Sequence, residues 1–76
     1  MEIFPGISVD PEVRFGKPCL AGTRIDVATV VADAACGESF VAVQEAYELT
    51  REQVVAALRY AAHLVAQQRP SGAVFG

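Results

Sequence analysis

Two short groupings, Gly16-Lys17-Pro18 and Gly22-Thr23-Arg24, hold the residue types in this 76-residue chain that best suit chemistry. Glycine lets a backbone approach an anion and a cation answers its charge, so a phosphate loop is the first comparison. That loop needs Gly-x-x-x-x-Gly-Lys followed by Ser or Thr, whose hydroxyl holds magnesium. Here Pro18 follows Lys17 and no glycine stands five positions before Gly16. Nucleotide binding is not expected. Gly22-Thr23-Arg24 leads towards a helix start, where an anion can bind, yet structural duties account for the same residues. Gly22 permits a positive-φ turn, Thr23 answers local backbone groups, and Arg24 clamps a carboxylate or carbonyls. Arg24 stays open between internal clamp and exposed contact.

Acid–base and metal chemistry find little footing. His63 is the only histidine, and the carboxylates (Asp10, Glu12, Asp26, Asp33, Glu38, Glu45, Glu48, Glu52) are scattered rather than paired. Cys19 and Cys36 are too far apart for a clustered four-ligand site and are read as small buried apolar residues, not as a disulfide. The expectation is no enzyme, no catalytic residue, no metal and no cofactor.

The elements that position these groups divide the chain into three stretches. Residues 1–26 hold short extended pieces, Ile7-Ser8-Val9, Val13-Arg14-Phe15 and Cys19-Leu20, separated by Gly- and Pro-containing turns. Residues 26–68 read as three helices. Val27, Val30, Val31 and Ala34 form one stripe from about Asp26, at the N-cap or in the first turn, to Cys36, with Gly37 beyond the end. Ser39 caps a short helix on which Phe40, Val43 and Tyr47 share a face. Thr50-Arg51-Glu52-Gln53 fits a capping box that opens a long helix to about Gln68. Its core stripe is Val54, Ala57, Leu58, Ala61 and Val65, and Val55, Ala56, Ala62 and Ala66 lie off it. The tail, residues 69–76, is read as frayed, with Val74 and Phe75 as docking candidates. The fold class expected is mainly α: a trihelical helix-turn-helix core behind a short N-terminal β-hairpin or extended segment, in one domain.

Apolar residues make up 53% of the chain, above the usual ~45–50%, and one small core cannot use them all. A homodimer or another protein partner is therefore expected. The net charge of −3 fits a basic partner better than nucleic acid, whose phosphates call for cations. The opening MEIFPGISVD has no basic segment or long apolar run, so no secretory signal or membrane span is expected and the location expected is cytoplasmic.

The phrases PEVRFGKPCLAGTRIDVATVVADAACGES and YELTREQVVAALRYAA resemble, across about residues 7–64, a prokaryotic family catalogued as domain of unknown function 433. The matching residues include Asp10, Pro11, Gly16, Lys17, Pro18, Gly22, Thr23, Arg24, Ile25, Gly37, Ser39, Tyr47, Leu49, Thr50, Ala57, Leu58, Tyr60 and Ala61. The resemblance implies a homeodomain-like, winged-helix-type helix-turn-helix domain with no catalytic residues to carry over. It further implies an antitoxin of a VapBC-type pair, which binds and neutralises a PIN-like ribonuclease toxin, with its own promoter DNA as a second target. Ala21 stands where the family often has Arg, and Asp26 where it often has Pro. Val41, Ala42 and Ala46 fill second-helix positions that are frequently charged. These departures weaken the DNA reading and strengthen the protein-partner reading. Lys17, Arg24, Arg51 and Arg59 are the candidate DNA contacts, and Val41, Ala42, Val55, Ala62 and Phe75 the candidate protein interface. The alternatives are a DNA-binding transcriptional regulator without a toxin and a homodimeric interaction module.

Overall fold

The computed structural model describes residues 1–68. The readings of Val74 and Phe75, and of the tail as a whole, lie outside the described residues. Over the described residues the fold is mainly α, with three helices and a small N-terminal antiparallel sheet of three strands.

Strand β1 (Glu2–Phe4) turns through Pro5-Gly6 into β2 (Ile7–Ser8), which pairs with β3 (Cys19–Leu20). The sheet is short, and its stability comes from burial: Ile7, Cys19 and Leu20 are buried under the helices. Gly6 makes the β1–β2 turn possible. Its φ is +83°, and a Cβ there would lie 3.0 Å from the Cβ of Ala56.

Between β2 and β3 the chain does not form the extended piece expected at Val13-Arg14-Phe15. Arg14–Gly16 is instead a single 3₁₀ turn closed by Gly16 N–H to Val13 carbonyl and Lys17 N–H to Arg14 carbonyl. Arg14 (φ 51°) and Phe15 (φ 58°) are both left-handed, a conformation that costs non-glycine residues on the order of 1–3 kcal/mol each. No local apolar alternation can survive that geometry.

Helix α1 (Val27–Ala35) begins where the Asp26 side chain accepts the Thr29 N–H, so of the two positions expected for Asp26 it takes the N-cap. Gly37, at φ 93°, stands beyond its end. Helix α2 (Phe40–Tyr47) is capped by Ser39, and α3 (Arg51–Gln67) opens with the complete Thr50/Gln53 capping box. Each start is a side-chain oxygen meeting an unpaired backbone donor. Tyr47 donates its phenol to Asp33 at 2.6 Å, which ties α2 to α1.

The core is Ile7, Leu20, Val27, Val30, Val43, Leu49, Val54, Ala57 and Tyr60. Two expectations fail here. Val65 is not core but 68% exposed, because α3 continues past the body that covers its first turns. Cys36 is exposed, since it ends α1 rather than facing inward; Cys19 is buried as expected.

Candidate functional site: an arginine-flanked concavity

Three hollows among the described residues divide the candidate residues. The first, about 430 Å³, lies between the β1–β2 turn and the start of α3. Phe4, Pro5 and Gly6 form one wall, and Arg51, Glu52, Val55, Ala56 and Arg59 the other. Arg51, Val55 and Arg59 stand four apart on α3, so they share one face. At 1.5 Å per residue the two guanidinium-bearing positions are ~12 Å apart along the axis. Ala62 falls on the same face by spacing, three residues beyond Arg59, and is exposed.

Each wall is held in place from behind. Phe4 packs on Tyr60 and His63 of α3, with ring centroids 5.3 and 5.0 Å away. Gly6 lies close against Ala56 and accepts the Ala21 N–H at its carbonyl. The guanidinium carbon of Arg51 sits 4.7 Å from the centroid of the Phe40 ring, which links the start of α3 to α2. Val41, 59% exposed, follows Phe40 on α2, and Ala42 is half-buried.

Chemically the lining offers two cations, one carboxylate and apolar carbon. It contains no Ser, Thr, Cys or His. Such a surface suits a group that carries both an apolar side chain and negative charge, as a folded or extended protein segment does. Among the described residues no group of three His, Cys, Asp or Glu side chains could hold a metal ion.

The other two candidate cations stand elsewhere. Lys17 is on the rim of a groove of about 350 Å³ between α1 and the later turns of α3. Arg24 lines a hollow of about 260 Å³ with Asp10, Cys19 and Thr23. The four cations therefore occupy three separate surfaces, and only Arg51 and Arg59 come together. They meet around Val55, which the sequence assigned to a protein interface.

The clamp anticipated for Arg24 exists, but a different arginine makes it. Arg14 Nη2 reaches Asp26 Oδ1 at 3.3 Å, while Arg24 is exposed and forms no ion pair among the described residues. Asp26 is only 5% exposed. Burial opposes its charge, but Thr29 donates both its hydroxyl (2.9 Å) and its N–H (3.2 Å), and Arg14 adds attraction, so its pKa lies below the ordinary aspartate value. Burial pushes the Cys19 thiol up, and the nearby Asp26 adds to that shift. The duties assigned to its neighbours hold: Gly22 has φ 78°, and Thr23 Oγ1 donates to the Leu20 carbonyl and accepts the Ile25 N–H.

Sequence reasoning missed Phe4, Pro5, Gly6 and Glu52 as parts of the hollow. Pro5-Gly6 between apolar neighbours was a readable hairpin signal. Nothing local marked which helix the turn would lean on.

A model of the family described as Protein of unknown function (DUF433) matches residues 7–61. Among solved structures, Rv2018 from Mycobacterium tuberculosis is similar, with 33% sequence identity and a TM-score of 0.62. The similarity covers 68% of this chain but spans only 24% of the length of Rv2018. A search of curated proteins returns no match.

Proposed function

This chain belongs to the DUF433 family, and on that membership and its surface we propose that it is an antitoxin-type protein. In this reading it acts as a homodimer, binds a PIN-like ribonuclease and neutralises it by protein contact. The observation that carries the reading is the hollow itself, where Arg51 and Arg59 flank an apolar floor at Val55 and Ala56. Apolar carbon with charges at the margin is the composition of a protein-binding patch. A basic toxin would also be attracted by the chain's net charge of −3.

The second reading is a DNA-binding regulator. Its support is that Arg51 and Arg59 lie on the solvent side of the third helix, which follows α2 after only Glu48–Thr50. Against it stand Glu52 in the same hollow and the separation of Lys17 and Arg24 from that face. An acidic side chain beside two cations lowers the local potential a phosphate would meet.

Co-expression with any ribonuclease-like protein that is encoded beside this chain tests the proposal. The expected result is a co-purifying complex in which ribonuclease activity is lost. Absence of such a neighbour, or free ribonuclease activity with no complex, overturns it.

A further inference from the structure

The core face of α3 does not stop where the core stops. Ala61, Leu64 and Val65 lie seven positions after Val54, Ala57 and Leu58, so they repeat the same face two turns later. Val54 and Ala57 are buried, whereas Leu64 is 43% exposed and Val65 is the exposed residue already noted. Across from this overhang, α1 presents Ala28 and Val31. Between the two helices runs the 350 Å³ groove, with Val27 and Tyr60 also in its lining and Lys17 and Pro18 at its rim.

Two residues before Lys17, on the left-handed turn, Phe15 is 97% exposed. This exposed aromatic side chain is not among the residues that line the groove, whereas Lys17 and Pro18, two and three positions later, are. We propose that a second copy of this chain docks on this face, with each Phe15 seated in the other copy's groove. This rests on the homodimeric reading above and names its surface.

Three features point to a second copy as the occupant. The first is closure. Phe15 and the groove-lining Lys17 are two residues apart on the same turn, and a two-fold contact uses the same surface from both copies, so exchanging Phe15 satisfies both sides and ends at two. The second is charge. Two chains of net charge −3 repel, so they must meet where acidic groups are few. The charged residues lining the groove are Lys17 and Asp26, and Asp26 is buried and paired with Arg14. Asp10 and Glu12 lie just before Phe15, so seating that turn at the other copy's rim brings carboxylates towards its Lys17, twice over. The third is area. A stable contact takes about 800 Å² from each copy. Phe15 supplies on the order of 150–250 Å² of that, and the exposed Ala28 and Leu64 and the half-buried Pro18 in the groove lining add to it.

Sedimentation equilibrium in a reducing buffer, where the exposed Cys36 cannot link copies, tests the inference. The native chain is expected at twice its 8.1 kDa mass. Phe15→Asn and Leu64→Asp should each weaken association at least about 30-fold, the scale of an interface hot spot. Far-UV circular dichroism should be unchanged, since neither side chain belongs to the buried core and Asn tolerates left-handed backbone. A chain that stays monomeric at the highest concentration at which it dissolves overturns both the homodimeric reading and this face. A dimer that neither substitution weakens overturns the face alone, as does a dimer broken instead by Val41→Asp.

Discussion

Arg14 Nη2 lies 3.3 Å from Asp26 Oδ1, so the turn that projects Phe15 is fastened to the residue that caps α1. The same carboxylate takes both the N–H and the hydroxyl of Thr29. One buried charge thus sets the start of a helix and the path of a loop twelve residues earlier.

The folded pKa of Asp26 is lowered, so the group stabilises the fold above its unfolded pKa of about 3.9, and that stability is lost as pH falls through the folded value. Asp26→Asn keeps a competent cap but removes the charge and leaves Arg14 unanswered. At neutral pH it should cost about 1.5–3 kcal/mol, the range for hydrogen bonds to a charged group. Urea midpoints should show the gap between native chain and variant narrowing as pH drops below about 4, where the carboxylate of the unfolded chain takes up a proton before the native one does. A gap that is constant with pH would mean the charge contributes nothing. Arg14 is half-exposed, and Arg14→Ala should cost below about 1 kcal/mol.

How far the sequence could be read follows from the range of each signal. Asp26, Ser39 and the Thr50/Gln53 pair were legible as caps because capping acts within three residues. Val13–Phe15 looked extended because its contact with Asp26 is not local. Likewise, sequence alone could not say which of Arg14 and Arg24 reaches a carboxylate. Val65 continued a real periodicity, but periodicity does not report that α1 is nine residues long and α3 seventeen. The candidate site was half legible: Arg51, Val55 and Arg59 share a helix, whereas the opposing wall comes from a turn some fifty residues earlier.

That wall gives a second test. A Cβ on Gly6 would meet Ala56 at 3.0 Å while forcing a side chain into positive φ. Gly6→Val should therefore destabilise the fold by about 1–3 kcal/mol through overpacking, plus the backbone strain. Thermal unfolding measures it, and a change below about 0.5 kcal/mol, the size of an ordinary surface substitution, would mean the turn does not press on α3.

Thiol accessibility provides a third. Cys36 is exposed, and Cys19 is buried with its thiol pKa raised by burial, its Sγ directed to the Lys17 carbonyl at 3.4 Å. Iodoacetamide at neutral pH should add one adduct per native chain, on Cys36, and two per chain in denaturant. Equal labelling of both native thiols, read by mass spectrometry, would place Cys19 outside the core.

The last prediction separates protein recognition from nucleic-acid recognition by where the cations stand. If the hollow receives a protein segment, Arg51→Glu with Arg59→Glu should weaken capture of the ribonuclease at least about 10-fold, as loss of interfacial charge pairs does. Loss of the Arg51–Phe40 stacking should cost stability only about 0.5–1 kcal/mol, so the variant stays folded. Arg24→Glu reverses a cation at another hollow, away from the proposed dimer face, and should leave capture unchanged. Nucleic acid would respond differently. Phosphate binding sums over all nearby cations and releases counterions, so all four residues would matter and affinity would fall linearly with log salt. Titrating the native chain, the Arg51/Arg59 double variant and Arg24→Glu against ribonuclease and against promoter DNA, at two salt concentrations, decides the matter. Capture lost only in the Arg51/Arg59 variant supports the protein site. Equal losses in both variants, with a steep salt slope on DNA, transfer the hollow to the regulator reading.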